Sequence, residues 1–377
     1  MHEAHKRSLE ALTRRRRLRT LQPPGGLDFA SNDYLGLGAS DALRSAARAA
    51  LDRGVPVGAG ASRLLRGNHP EHEALESEAA QFFGAETALF FSGGFHANSA
   101  LFSTLPQRGD LVLHDEFIHA SAHDGMAITR AKCISFAHND PEAAANAIND
   151  WRRAGGKGRI WIAVETLYSM DGDIAPLDAL AELADRNDAM LVIDEAHATG
   201  VYGPEGRGLG AALEGRENIV ALHTCGKALG ASGAFLTMPS VLRDYMINRA
   251  RAFIYATAPS PLMAAIARAA LKLVQEEPQR RHELATLVDH AGTLLRERCA
   301  ITPTGTQIQP VIVHRDERAL HIAHALQEAG FDVRAIRPPT VPDGTARLRL
   351  SLTLNVTPTD VTNLIDQLAP MLTEAPP

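Results

Sequence analysis

Met190-Leu191-Val192-Ile193-Asp194-Glu195-Ala196-His197 is the stretch that decides how this chain folds. Four apolar residues in a row, without polar alternation, read as a strand covered on both faces, as in a parallel sheet between helix layers. The run stops on Asp194, so a carboxylate stands at the strand end, where open α/β sheets bind their ligands. The next apolar run, Ile219-Val220-Ala221-Leu222, leads into Thr224-Cys225-Gly226-Lys227-Ala228-Leu229-Gly230 and puts a lysine after the following strand.

A carboxylate in a mostly apolar setting is costly unless a cation meets it. A protonated pyridine nitrogen is such a cation, and a lysine after the next strand reaches the aldehyde carbon of the same flat ring. That pairing is the arrangement of a pyridoxal phosphate (PLP) site, with Lys227 as the imine-forming amine and Asp194 keeping the ring an electron sink. Asp-Glu-Ala-His after a strand also matches the DEAH box of an NTPase. That reading needs an upstream GxxxxGK[ST] loop, and Gly156-Lys157-Gly158 lacks both the preceding glycine and the hydroxyl residue.

Working outward, apolar runs alternate with helical stretches from Thr87 to about Met238: Ala88–Phe91, Leu111–Leu113, Ile134–Phe136, Ile160–Val164, Leu191–Ile193, Ile219–Leu222 and Ala234–Leu236. They predict an α/β fold whose large domain holds a mainly parallel, seven-stranded sheet. After a helical region from Pro261 to Cys299, the strand Gln309–Val313, a helix from Ala319 to Gly330 and the strand Ala346–Leu352 suggest a smaller α+β C-terminal domain. The expected spans are 1–40 for an N-terminal helix and short strand, 41–275 for the large domain and 276–377 for the small one. A helix is expected from Ala4 to Leu21, with Arg14-Arg15-Arg16-Arg17 as a solvated face or as a basic lip for an acidic or phosphorylated acyl carrier.

With 377 residues, 45% hydrophobic and 22% charged, the chain has ample core for such domains, and disordered or collagen-like classes drop out. The formal net charge of -6 offers no general field for nucleic acid or anionic membrane. No apolar stretch approaches the roughly 20 residues of a membrane span, and the N-terminus opens no apolar leader. Three widely spaced cysteines, Cys133, Cys225 and Cys299, form no CxxC and suggest a reducing cytoplasm.

Other strand ends offer matching chemistry. Ser92-Gly93-Gly94-Phe95 follows a strand and opens a helix, so backbone N–H groups can approach a phosphate. His119 can stack on the ring; a metal pair with His123, four residues on, is the competing reading, and no metal is expected because no Glu sits between them as in HExxH. Ser169 can donate to the ring's phenolate oxygen, while Asp171-Gly172-Asp173 reads as turn chemistry. His197 is placed to touch the ring or its oxygen, and Thr224 the phosphate. Thr257, in Ile254-Tyr255-Ala256-Thr257-Ala258-Pro259-Ser260, is compatible with a phosphate contact from a second subunit. Arg349 and Arg347 share one face of a strand, and a guanidinium there can grip an amino-acid carboxylate through two parallel hydrogen bonds. Arg349 is taken for that role and Arg347 for a surface group.

Together these motifs resemble the α-oxoamine synthases, PLP enzymes of fold type I, nearly from end to end. The likeness rests on Ser31-Asn32-Asp33-Tyr34-Leu35-Gly36-Leu37, Gly58-Ala59-Gly60-Ala61-Ser62-Arg63, Ser92-Gly93-Gly94-Phe95, His119-Ala120-Ser121, Ser169-Met170-Asp171-Gly172-Asp173, Asp194–Gly200 and Lys227. Within that family, Ile336-Arg337-Pro338-Pro339-Thr340-Val341-Pro342 and Gly344–Leu350 are similar to the branch that joins L-alanine to a pimeloyl thioester, carried on coenzyme A or on acyl carrier protein. The resemblance implies that Gly94 and Phe95 hold the cofactor and that His119, Ser169, His197 and Thr224 contact it. It further implies substrate contacts at Arg19, Asn32, His119, Thr340 and Arg349, with Arg17 as the alternative to Arg19, and a homodimer with a shared active site. A sister synthase using glycine and a short acyl-CoA, an aminotransferase and a basic-helix nucleic-acid binder stand as alternatives.

Overall fold

The computed structural model describes residues 2–373, and the outer ends of the expected spans, Met1 and residues 374–377, lie outside the described residues. In chain order the helices and strands are α1 (Glu3–Arg14), β1 (Leu27–Asp28), α2 (Asp41–Asp52), α3 (Pro70–Phe83), β2 (Thr87–Phe91), α4 (Gly94–Thr104), β3 (Leu111–Asp115), α5 (Ala120–Ile128), β4 (Lys132–Phe136), α6 (Pro141–Arg153), β5 (Ile160–Glu165), α7 (Leu177–Arg186), β6 (Met190–Asp194), β7 (Ile219–Thr224) and β8 (Ala234–Met238). They continue with α8 (Ser240–Arg249), α9 (Arg251–Ile254), α10 (Pro261–Glu276), α11 (Pro278–Cys299), β9 (Ile308–His314), α12 (Asp316–Glu328), β10 (Phe331–Asp332), β11 (Arg334–Ile336), β12 (Ala346–Ser351) and α13 (Pro358–Thr373). The chain divides into two units, one of Leu35–Ser169 with Asp173–Arg281, the other of the chain up to Tyr34, Met170–Gly172 and the chain from His282 onward.

The larger unit holds a seven-stranded sheet in the order β2-β8-β7-β6-β5-β3-β4. Strands β4, β3, β5, β6 and β7 run parallel, while β8 is antiparallel to both β7 and β2. The mainly parallel, seven-stranded expectation therefore holds, and all seven apolar runs named from the sequence are strands. Every residue of β5, β6 and β7 is buried, the pattern of strands enclosed by helices on both faces. Alternation sorts them into two cores: Trp161, Ala163, Met190, Val192, Val220 and Leu222 share one face with α4 and α5, and Ile160, Ile162, Val164, Leu191, Ile193 and Ala221 share the other. Because side chains alternate with period two, Glu165, Asp194 and Thr224 fall on the first face at the carboxyl ends of β5, β6 and β7.

In the smaller unit, β11, β12 and β9 form an antiparallel sheet, and β1 pairs with β10 in parallel. Arg347, expected at the surface, is 3% exposed and ion-paired with Asp171, so the turn residue Asp171 neutralises a buried guanidinium. Gly172 beside it has φ +70, and a Cβ there would stand 2.3 Å from the Ile308 carbonyl oxygen; only glycine fits that turn.

The first helix is shorter than expected. It stops at Arg14, has no buried residue, and Arg16 turns the backbone left-handed at φ 54. An amphipathic helix without a packed face has little to stabilise it. Beyond the helix, Arg17 reaches Asp316 at 3.0 Å and Asp343 at 2.8 Å, so tertiary ion pairs override the helical pattern.

Candidate active site

The strand ends of the larger unit open on a cavity of ≈ 170 Å³ lined by Gly94, Phe95, Asn98, His119, Ser121, Glu165, Asp194, Ala196, His197, Leu222, Thr224 and Lys227. Parity delivers Glu165, Asp194 and Thr224 to it, as derived above. The turn after β7 brings Lys227, and the start of α4 brings Gly94 and Phe95. His119 is not inside α5, as the spacing with His123 suggested, but caps its N-terminus, its Nδ1 accepting from the Ser121 amide. His123 packs edge-on against His114, ring centroids 5.0 Å apart.

Asp194 is held from two sides. Its Oδ1 accepts from the Ala196 amide at 2.9 Å and its Oδ2 from Asn98 Nδ2 at 2.7 Å. Asn98 Nδ2 also donates to Ser121 Oγ at 3.0 Å, and Ser121 Oγ lies 2.8 Å from His119 Nδ1. The bonds have one consistent direction. Because Nδ1 of His119 already accepts from a backbone N–H, Ser121 must donate its hydroxyl proton to it, which leaves the neutral ring with its hydrogen on Nε2. Burial pulls the His119 imidazolium below its ordinary pKa, with the Lys227 charge acting the same way and the Asp194 charge opposing. A neutral flat ring suits stacking on a cationic heterocycle.

Lys227 Nζ and His197 Nε2 are hydrogen-bonded at 2.7 Å. Thr224 Oγ1 accepts from the Gly226 amide at 3.2 Å, which turns the chain toward Lys227. Cys225 is buried, and burial pushes its thiol above the ordinary range, so it is a small packing residue. Asn98, Ser121 and Glu165 carried no role in the sequence reading. Asn98 and Ser121 could have been found from spacing, since Asn98 lies one helical turn beyond Gly94 and Ser121 two residues beyond His119.

Ser169 and Thr257 are not among the residues lining this cavity. Ser169 follows β5 and gives its amide to Glu165 Oε2 at 3.2 Å; Thr257 is exposed. The remaining predicted residues lie in the smaller unit. Arg349 is 6% exposed, and its Nη1 donates to Ser351 Oγ at 2.6 Å while its Nη2 donates to Asn32 Oδ1 at 3.0 Å and Tyr34 Oη at 3.3 Å. Arg19 Nη2 donates to Thr340 Oγ1 at 3.2 Å, so the structure joins the two residues that the resemblance named together.

The donor set fits PLP. A primary amine suits its aldehyde, a fixed carboxylate its ring nitrogen, and a helix start with a threonine its phosphate. Glu165 lines the cavity, and its Oε1 is buried without a hydrogen-bond partner among the described residues, as expected of a site built around a polar ligand.

Comparison with known proteins agrees. Residues 24–368 match the family model for aminotransferase class I and II. The chain belongs to that family. It is 41% identical to the 8-amino-7-oxononanoate synthase of Anaeromyxobacter dehalogenans, over 98% of this chain and 95% of the relative. Among solved structures, it superimposes on the 8-amino-7-oxononanoate synthase of Francisella tularensis with TM-score 0.76 at 27% identity, covering 92% of this chain and 97% of that one. It superimposes on the serine palmitoyltransferase of S. paucimobilis with bound PLP-myriocin aldimine with TM-score 0.88 at 25% identity, covering 98% and 97%. Among the described residues no helix is long and apolar enough to cross a membrane.

Proposed function

We propose that this chain is an 8-amino-7-oxononanoate synthase that uses PLP to condense L-alanine with a pimeloyl thioester, releasing CO2 and the carrier thiol. The observation that carries the reading is the opening of Lys227 and Asp194 on one cavity at neighbouring strand ends, in a chain 41% identical to a synthase of that name over nearly its full length. When bound, PLP supplies an aldehyde for amine capture and an electron sink for the charge left on Cα.

Asp194, clamped by Asn98 and the Ala196 amide, orients the ring and holds its nitrogen protonated. Lys227 fixes the cofactor and, once its amine is released, takes the Cα proton of alanine. His119 would stack on the ring, Gly94, Phe95 and Thr224 would hold the phosphate, and Ser169 and His197 would contact the ring oxygen. Arg349 receives the alanine carboxylate, which sets which Cα bond is aligned for cleavage. Asn32 orients that guanidinium, as its 3.0 Å bond to Nη2 allows, while Arg19 and Thr340 take the pimeloyl chain. Thr257 serves the phosphate of a second copy in a homodimer, and the enzyme works in the cytoplasm.

The likeness to serine palmitoyltransferase makes serine the amino acid to exclude. Purified protein is loaded with PLP, its visible spectrum recorded, and L-alanine, glycine and L-serine added separately with pimeloyl-CoA or pimeloyl-acyl carrier protein. The reading expects an alanine-preferring spectral change, thiol release and a product with the mass of 8-amino-7-oxononanoate. A glycine or serine preference would assign the chain to a sister enzyme, and a protein with no visible band after PLP loading would overturn the cofactor assignment.

A further inference from the structure

Two carboxyl side chains, not one, stand at the floor of the cavity. Glu165 ends β5 and Asp194 ends β6, and the two are register partners on neighbouring parallel strands. Both lie on the cavity face, and both line the cavity. Their surroundings differ sharply. Asp194 receives a charge-supporting amide from Asn98 and a backbone N–H from Ala196. Glu165 is 2% exposed, its Oε2 receives one backbone N–H from Ser169 at 3.2 Å, and its Oε1 has no hydrogen-bond partner among the described residues.

We propose that Glu165 is a neutral carboxylic acid in the working enzyme, a hydrogen-bond donor that presents its Oε1 proton to an anionic oxygen of the bound cofactor. The proposal rests on the PLP reading above. When two carboxyls share a site with too few cations, the one with fewer donors keeps its proton. The charged and titratable groups facing Glu165 are Asp194 from β6, Asp115 from β3, Lys227 from the turn after β7 and the phenol of Tyr168 just past β5, whose ionisation its burial, Asp115 and Glu165 all oppose; His119 and His197 complete the polar wall of the cavity. Asp115 is matched by His138, 2.9 Å away. That leaves the single ammonium of Lys227 for both Asp194 and Glu165 in the apoprotein; with PLP in place the ring N–H serves Asp194 and the Lys227 amine is engaged by the cofactor, so Glu165 is left without a cation of its own. Burial pushes the Glu165 carboxyl well above its ordinary range, Asp194 pushes the same way, and Lys227 opposes. The Ser169 amide occupies Oε2, so Oε1 carries the proton. A buried O–H on a cavity-lining residue, with no partner among the described residues, has its partner in the ligand.

A neutral acid also makes electrostatic sense. It leaves Asp194 as the sole negative side chain available to the ring nitrogen, and it donates to an anionic oxygen that a second carboxylate would repel.

The test uses infrared difference spectra of PLP-loaded wild type against Glu165→Gln at neutral pH, together with the pH midpoint of the visible absorbance band. Glu165 neutral predicts a carboxylic-acid C=O stretch that is lost in the variant and moves to lower frequency when PLP enters the wild-type apoprotein. The band midpoint then stays the same in Glu165→Gln, because one neutral group replaces another. A missing stretch, a stretch that PLP does not move, or a midpoint displaced by roughly one pH unit or more would overturn the proposal. Glu195, also buried and pushed up to about 7 by that burial, can contribute a second acid stretch, and Glu195→Gln removes that one while leaving the PLP-sensitive stretch. Should Glu165→Gln fail to fold, wild type labelled with 13C at its glutamate side chains gives the same readout, because among the described residues Glu165 is the one glutamate that lines the cavity. A wild type with a normal visible band but no such stretch sinks this inference alone, whereas a wild type without the band sinks the cofactor reading with it.

Discussion

Lys227 Nζ sits 2.7 Å from His197 Nε2, in the turns just past the ends of β7 and β6 respectively. The bond stations the amine over the cavity before any ligand arrives. Lys227→Ala should therefore abolish turnover, by at least about 10²–10⁴-fold, and remove the visible band of bound PLP. Far-ultraviolet circular dichroism and melting temperature should stay close to wild type, because the amine lines the strand-end cavity and belongs to neither hydrophobic core. Normal turnover in the variant would end the proposed mechanism.

Asn98 links Asp194 to Ser121 and His119 through one amide. Hydrogen bonds to charged groups contribute about 1.5–3 kcal/mol, so Asn98→Ala should loosen PLP by roughly tenfold or more. Asn98→Asp should be worse, since it sets a second carboxylate against Asp194. Retention of the cofactor through dialysis measures both, and equal retention in all three proteins would remove Asn98 from the site.

Arg349 is a rigid fork already oriented by Asn32, Tyr34 and Ser351. Arg349→Ala should raise the KM for alanine by about 10–100-fold, the magnitude of a lost charge-assisted pair. Arg349→Lys should recover only part of that, because an ammonium cannot make two parallel bonds to one carboxylate. Steady-state kinetics at varied alanine decide it, and an unchanged alanine dependence rejects the assignment.

His138 lies between Asp115 and Asp173, 2.9 and 2.7 Å from their carboxylates. Burial opposes its charge, but the two acids prevail and push it up to about 10. A group whose pKa is higher in the folded than in the unfolded state stabilises fully below the unfolded value, near 6.5, and loses that contribution as pH rises through the folded one. Chemical denaturation should therefore show wild type losing stability between pH 7 and 10 relative to His138→Gln. Parallel stability profiles of the two proteins across that range would falsify the ion-pair account.

Much of this was legible from particular residues. The runs Met190–Ile193 and Ile219–Leu222 named their strands, and the position of Asp194 and Lys227 after them named the chemistry, because continuous apolar runs between helices have few other solutions. Gly172 was read correctly as a turn residue. Other features were not readable. Arg347 looks like a surface residue until Asp171, 176 positions away, meets it. Arg15–Leu21 keeps helical composition, yet Arg17 leaves the helix for Asp316 and Asp343. Glu165 is quoted in any reading of its strand, but nothing local says that its Oε1 finds no partner among the described residues.

The sequence by itself determined which strands exist, which face each strand-end side chain takes, and that a carboxylate and an amine follow two successive strands, because these follow from period-two alternation and local chemistry. Only the tertiary structure decided that Asn98 and Ser121 tie Asp194 to His119, that Arg347 is buried and paired, and that Glu165 stands beside Asp194 with one oxygen unmatched among the described residues. Those facts depend on which strands are neighbours and which donors they meet, and long-range pairing leaves no periodic mark on the chain.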